Sequence, residues 1–543
     1  MTSAARPETH RRAGRLAALA MAAILCAACV ATSAQANETN PFGIASFSLQ
    51  TTEQGPSPQS PGEPYLFDQA EGHPFALTST VQFTTDQIGG NTVATGDPKD
   101  VIVDLPPGLL ANPNAVTRCP GQLEHCPTDT QVGTFVFRFG DRESQLAVLG
   151  EIVDMTPYTG EPAELGLEAP DFGRVLLNGR MVRTPQGYSL AIVGRGLPVL
   201  NLSSLLSGLP PLHLTSLEMT LWGTPTAPAH DAQRGLSCIG GLGPGWSCNG
   251  GGVASGEEAI PFLTMPGSCT GEGPTTLAWS DSWQQPGRYV QARSTLAPMS
   301  GCEQLTFSPE VSVRPETTRA QEPVGIDLDL KMHQFEENER AAPDLRDATV
   351  TLPTGMAISP AVAAGMRSCD ASGPNGIDIP TGVNANGEPL KPGEVGIGEE
   401  VPQVGLGPEE PELAPGHCPK ESIVGTAEAS TPLLAHPIEG HVYLATPGCG
   451  GASQSPCTEH DATDGNLYRL YVELGAGTNS KRGEGVLIKL AASVQANAAT
   501  GQLTVRLLES PQVPIGELSL HLFGGERALL ANPASCGPAT TTS

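Results

Sequence analysis

Basic residues are scarce in this chain. Its 543 residues carry 29 Lys and Arg against 57 Asp and Glu, a net charge of −28. So acidic a surface repels phosphates, which excludes nucleic acid as a partner. No stretch after residue 33 is long and apolar enough to cross a bilayer, so no transmembrane segment is expected in the mature chain. Long amphipathic helical patterns are lacking too, which excludes an α/β enzyme with helices on both faces of a sheet. There is no Gly-x-Ser-x-Gly elbow of the hydrolase type. Beyond the first 36 residues there is no Cys-x-x-Cys, which argues against zinc. Aromatics are only 4% of the chain.

What is present begins with an export signal. Arg6, Arg11, Arg12 and Arg15 precede the apolar run "LAALAMAAILCAACVATS", and Ala34-Gln35-Ala36 follows as a small-x-small cleavage site. These are the three parts of a secretory signal peptide, with cleavage expected after Ala36. The alternatives are a membrane anchor, for which the run is short and Ala-rich, and a lipoprotein acylated at Cys29, which lacks the expected Leu three positions upstream. The first 36 residues hold four Arg and one Glu, so without them the charge becomes −31.

Gly (64 residues) and Pro (51) are abundant, yet segments alternating Val, Leu and Ile recur throughout, so folded domains with long loops are expected. The length suits three or four ordinary domains. "CPTDTQVGT" (126–134) returns 292 residues later as "CPKESIVGT" (418–426). Around it, "DVIVDLPPGLLANP" (100–113) aligns with "DATVTLPTGMAISP" (347–360), and "GEIVDMTP" with "GHVYLATP". "RVLLNGRMVR" aligns with "GVLIKLAASV", "LTSLEMTLWG" with "IGELSLHLFG", and "PFLTMPGSC" with "ALLANPASC". The order is preserved, which indicates a tandem duplication, roughly 43–304 and 305–543. Each copy is a series of five- to eight-residue alternating strands punctuated by Gly and Pro. The predicted fold is all-β: two tandem antiparallel β-sandwich-like units with long Gly/Pro-rich loops and a few short helices. Short helices are expected after Asn112-Pro113 and Ser359-Pro360, and over 201–209. The expected layout is a lead-in at 37–74, unit one at 75–274, a small β linking segment at 275–320, whose strands "TTLAWSDSW" and "RYVQARSTL" alternatively close the first unit, and unit two at 321–543. Unit two contains an acidic, Gly/Pro-rich insert at 370–417, expected to be a loose loop.

Cysteine in an exported chain usually pairs. The repeat and local spacing propose Cys119–Cys126, Cys369–Cys418, Cys238–Cys248, Cys449–Cys457 and Cys269–Cys302, leaving Cys536 unpaired. In unit one the counterpart of Cys536 is followed by a strand and then Cys302. Unit two is therefore expected to be C-terminally incomplete, with a partner Cys about 30 residues beyond Ser543 by that analogy. The rival is a natural terminus with Cys536 buried or joining two chains.

Candidate chemistry is thin. His230-Asp231 is an enzyme-like pair, but adjacent side chains do not readily face each other as base and orienting acid, and Asp231 could simply pair with Arg234. Asp461, Asp464, Gly465 and Asn466 are oxygen-rich, but their spacing is wrong for an EF-hand and suits a turn. His125 and His417 each precede a Cys, the residue types of a zinc site. "LPTGM" (352–356) resembles a sortase signal without its spacer residue or apolar tail. Trp279, Trp283 and Tyr289 could form a platform for sugar or pack in the core. Asp327 and Asp329 fit the solvent side of a half-buried strand. No catalytic, cofactor-binding or metal residue, and no cofactor, is assigned.

The run Leu105–Gly108, Asn112-Pro113, Cys119, Cys126-Pro127, Val132–Thr134, Trp222-Gly223 and Pro266–Cys269, with its second copy, resembles a family of large repetitive secreted proteins of high-GC bacteria. The resemblance covers most of 43–543 and implies export and repetition. No activity is assigned to that family, so no catalytic residue carries over. The expected function is a non-enzymatic exported protein of the cell surface or envelope. Its partner, a cell-wall or extracellular glycan or a protein, is left open. The alternative is a secreted carbohydrate-binding or carbohydrate-degrading protein.

Overall fold

The computed structural model describes residues 41–54, 65–88, 91–121, 125–140, 146–158, 161–169, 173–199, 213–240, 246–334, 340–359, 365–380, 399–400, 412–413, 415–450, 456–475, 485–537 and 539–543. The signal peptide, the helix expected over 201–209 and most of the acidic insert lie outside them. The chain is all-β, and its long strands fall into two curled antiparallel sheets. Among the described residues there is one α-helix, Glu459–Asp464.

The first sheet contains β1 (Ile44–Thr52), β2 (Ala76–Phe83), β3 (Pro98–Asp104), β4 (Gln131–Phe139), β5 (Leu146–Asp154) and β6 (Ala163–Ala169). It continues with β7 (Gly173–Thr184), β8 (Gly187–Gly194), β9 (Leu214–Trp222), β10 (Thr275–Ser282) and β11 (Gln285–Thr295). Their spatial order is β1-β2-β9-β4-β5-β6-β7-β8-β3-β10-β11. The Leu49 N–H of β1 donates to Ser294 Oγ of β11 at 2.9 Å, so the two ends of the path meet and the sheet closes as a barrel. The second sheet contains β12 (Pro309–Pro315), β13 (Ile326–Met332), β14 (Ala348–Thr351), β15 (Ile423–Ser430) and β16 (Ile438–Leu444). It is completed by β17 (Tyr468–Leu474), β18 (Ile488–Ala496), β19 (Leu503–Leu507) and β20 (Glu517–Leu522). Its order is β12-β13-β20-β15-β16-β17-β18-β19-β14, which is the first sheet's order strand for strand as far as β3. On the outer edge of β14, Thr351 exchanges two backbone hydrogen bonds with Thr542, at 2.8 and 3.1 Å.

The repeated phrase has a steric cause. Gly133 and Gly425 each sit at a register shift where their strand crosses from the preceding turn into the ladder. A Cβ on Gly133 would lie 2.1 Å from the Thr220 carbonyl oxygen, and on Gly425 2.4 Å from that of His521. Only glycine lets β9 and β20 approach so closely. Just upstream, Thr130 Oγ1 donates to the Pro127 carbonyl at 2.7 Å and Ser422 Oγ to the Pro419 carbonyl at 2.6 Å. The Pro and the hydroxyl residue three positions on thus form one 3₁₀ turn that launches the strand. The Leu-Pro-x-Gly turns need the left-handed φ of Gly108 (+83°) and Gly355 (+89°).

The sheet interiors differ in filling. Phe135 and Phe137 of β4 join Phe47, Phe83 and Phe139 in the first core. At the matching positions β15 has Ala427 and Ala429. The second core is therefore leaner, and a wholly apolar cavity of about 150 Å³ remains inside it.

Three expectations are corrected. The segment 275–320 is not a linking domain: Thr275–Thr295 supplies β10 and β11 of the first barrel, and β12 begins the second sheet. Its strands read as independent because their partners, β3 and β13, are remote or on the far side in sequence. The lead-in at 37–74 contributes β1, paired along its length with β2. After Asn112-Pro113 there is a turn rather than a helix. Asn112 Oδ1 accepts from the Asn114 N–H at 3.0 Å, and Cys119 must already be back against β5, where it bridges to Met155. The matching segment after Ser359 lies outside the described residues. The base of the acidic insert is ordered: Ile377 is buried beside Cys369 and Tyr471.

Candidate functional site

The residues singled out by sequence do not assemble into a catalytic centre among the described residues. His230 is buried, its ring 4.6 Å from Trp222 and nearly parallel to it, and 4.5 Å from Phe75. Burial first, and then the Arg234 charge, push its pKa down to about 4, so it stays neutral. Asp231 pairs with Arg234, which also donates to the Val253 carbonyl at 2.7 Å and the Pro225 carbonyl at 2.5 Å. The pair staples a loop. Asp461 caps a short helix, accepting from the Thr458 N–H at 2.7 Å and its hydroxyl at 2.8 Å, which is a structural role. Among the described residues no group of three His, Cys, Asp or Glu could hold a metal. Leu352 and Met356 of "LPTGM" are buried. Trp279 is buried and donates to Asp104 Oδ2 at 3.0 Å, while Trp283 is half-exposed and donates to the Leu197 carbonyl at 3.0 Å. Tyr289 packs beside Trp279 with Ile102, Ala191 and Val193, on the side of the sheet opposite Ala278 and the main core, so this pair is covered and Trp283 is exposed. Asp327 and Asp329 lie on the outer side of β13, bonded to His521 at 2.7 Å and to Arg314 at 2.5 Å.

The cysteines form five disulfides: Cys119–Cys126, Cys238–Cys248, Cys269–Cys302, Cys369–Cys418 and Cys449–Cys457. Cys536 is free and exposed. Cys119 and Cys369 are fully buried, and each is fixed to a neighbouring strand by a backbone donor at 2.8 Å, Cys119 to Asp154 and Cys369 to Leu444. His125 and His417 thus stand beside disulfide sulfurs, which lack the thiolate charge that ligates zinc.

A cavity that the sequence reading missed lies where the two sheets meet. Tyr188, at the start of β8, reaches into the second core. Its hydroxyl donates to the Lys489 carbonyl at 3.0 Å and accepts from the Lys489 N–H at 2.8 Å, closing the β18 backbone onto β8. Asn114 Nδ2 donates to the Pro432 carbonyl at 3.0 Å and ties the facing loops. Between these contacts is a space of about 140 Å³. Leu109, Leu177 and Phe262 wall it from the first barrel, and Leu433, Ile438 and Val513 from the second sheet.

The lining is mostly apolar, and its residues with side-chain oxygen are Asp154, Glu164, Tyr188, Ser189, Thr431 and Gln512. Asp154 Oδ2, Glu164 Oε2 and Gln512 Oε1 are all buried and make no hydrogen bond. Arg118 Nε stands 3.7 Å from Asp154 Oδ2, too far for a bond. Burial pushes the Asp154 carboxyl up to about 7 against the pull of Arg118. Burial and the neighbouring Glu161 charge raise Glu164 as well, with Arg174 pulling the other way. An orphaned buried acceptor costs about 1–3 kcal/mol, but the three do not share one point. Asp154 is paired with Leu165 on the inner side of the barrel, so Glu164, the next residue of β6, faces the outer side. The sequence carried a signal for one of them. Aligning the two copies places Asp154 opposite Leu444, an acid at a position where the repeat otherwise turns an apolar side chain inward. Glu164 and Gln512 carried none.

No protein-family model, no curated protein and no solved structure matches this chain.

Proposed function

We propose that the protein is an exported, non-enzymatic component of the cell surface or envelope, whose two β-units form a disulfide-braced scaffold for binding. The single observation that carries this reading is the set of five disulfides, two of them anchored by fully buried cysteines. Such bonds persist in oxidising compartments. No helix among the described residues is long and apolar enough to cross a membrane. The burial and neutral state of His230 weigh against the carbohydrate-enzyme alternative. The partner, a cell-wall or extracellular glycan or another protein, is to be identified by experiment.

Fractionation of producing cells, with N-terminal sequencing and intact mass before and after reduction, tests the reading. The expected result is protein in the envelope or medium, beginning at Asn37, with five disulfides. Reduced protein in the cytoplasm would overturn it. A glycan array run on the same material separates scaffold from enzyme: cleavage of any arrayed glycan would replace the reading by the carbohydrate one.

A further inference from the structure

The second sheet has a bare floor where the first lays a ring. In the first barrel Phe135 of β4 stands opposite Gly150 of β5, and a Cβ on Gly150 would lie 2.6 Å from Phe135 Cε1, so the ring covers the glycine. The second sheet keeps the glycine and loses the ring. Gly440 of β16 takes the place of Gly150, and Ala427 of β15 stands opposite it. On its other side Ala427 pairs with Leu520 of β20, while Gly425, two residues earlier, pairs with Leu522 and Val442. Residues directly opposite in an antiparallel ladder share a face. Leu520, Leu522 and Val442 all line the cavity of about 150 Å³ inside the second core, so the small residues lie on the cavity's side of the sheet. The lining residues with polar side chains are Tyr468 and Arg469 of β17. Tyr468 packs, half-buried, against the core at the start of its strand. Arg469 places its guanidinium over the Tyr471 ring, 5.6 Å from the centroid, on the outer face of β17. The surface presented to the space is therefore apolar.

We infer that this cavity is a binding site for a neutral, ring-sized hydrocarbon, seated over Ala427 and Gly440 where the first copy of the repeat seats the Phe135 ring. The volume matches, since an engineered apolar cavity of about 150 Å³ takes up benzene. Such a cavity also stays dry, because its walls give water no hydrogen-bond partners. An unfilled space forfeits dispersion contacts along its walls, and a ring restores them. A charged ring would give up its hydration and gain no partner among leucines and valines. The site goes beyond the scaffold reading and does not depend on it, because it lies inside one sheet whatever binds the outer surface.

Benzene, benzylamine and benzoate are titrated into the mature protein, following heat of binding and thermal midpoint. Benzene is expected to bind and to raise the midpoint, and each charged ring to bind at least tenfold more weakly. Ala427→Phe restores the ring of the first copy and should abolish benzene binding, and its midpoint without ligand reports whether it folds. Ala427→Leu fills the same space with less bulk and should weaken benzene at least tenfold, which keeps the test open if the larger residue is not accepted. Glu428→Leu, on the exposed face of the same strand, should leave benzene binding unchanged. No benzene binding to the unaltered protein, equal binding of benzene and the charged rings, or undiminished benzene binding to a folded Ala427 variant overturns the inference.

Discussion

A missing Cβ decides the geometry at Gly133. There the Thr220 carbonyl occupies the space that a side chain would need, at 2.1 Å from an ideal Cβ. Gly133→Ala must push β9 away from β4 and disturb ladder bonds on both sides. A loss of about 2–4 kcal/mol is expected, read as a fall in the urea midpoint at constant slope. Gly501→Ala is the control: no atom lies within 4 Å of its Cβ, but its φ of +69° keeps it strained, so a loss of about 1 kcal/mol is expected. At the same scale, Cys536 is the one free cysteine among the described residues, and it is exposed. Native protein without the first 36 residues, treated with a thiol reagent, should gain the mass of one label, and the same protein denatured and unreduced should gain no more. A second label on denaturation would break the disulfide assignment.

At the scale of elements, the two copies of the Cys…Cys-Pro device differ in the loop they close. Cys119–Cys126 spans 7 residues, whereas Cys369–Cys418 spans 49 and holds the acidic insert at its base. Chain-entropy reasoning makes the longer bridge worth about 4 kcal/mol and the shorter about 2. Replacing each pair by Ser and comparing denaturation midpoints should reproduce that order. Equal losses would mean that native-state packing, rather than closure of the unfolded chain, sets the value of these bonds. The ordering of the insert's base fits the same picture: Gly416 N–H donates to Glu473 Oε1 at 2.6 Å and His417 N–H to the Gly376 carbonyl at 2.7 Å, so the chain is secured before the disulfide is reached.

At the scale of the whole molecule, buried acids set the response to pH. Asp154 and Glu151 are pushed up to about 7, chiefly by burial. Glu71 and Asp344, two carboxyls brought together where residues 70–72 meet 340–345, are raised by burial, and for Glu71 by the Asp344 charge as well. In each case the folded chain holds its proton to higher pH than the unfolded chain, whose carboxyls let go near 4. The stabilisation is thus complete below about pH 4 and is lost as pH rises toward 7 and beyond. Asp347 and Asp461 are held low and lose their contribution only under acid, below that window. Unfolding free energy should therefore fall between pH 5 and pH 8, by on the order of 3 kcal/mol for Asp154 alone, with the other raised carboxyls acting in the same direction. Denaturant titrations at the two values check it, and Asp154→Asn should flatten the difference. A rise in stability across the interval would show that the carboxyls ionise without penalty.

The strands and their tandem order were legible in the sequence because they depend on period-two alternation, on Pro and Gly at turns, and on a phrase repeated for a local steric reason. The five cysteine pairs were legible because each follows from spacing within a copy or from comparison between copies. Three things were decided only by the tertiary structure. β10 and β11 join the first barrel because the free edge of β3 accepts them, a pairing across more than 170 residues that no local pattern announces. Trp279 and Tyr289 are covered on the face of β10 and β11 opposite Ala278 because Ile102 of β3 and Ala191 and Val193 of β8 pack against them there. The cavity between the sheets exists because Tyr188 of one unit docks on Lys489 of the other. Alternation along a strand tells which side a residue faces, but what lies on that side is set by the second body packed against it.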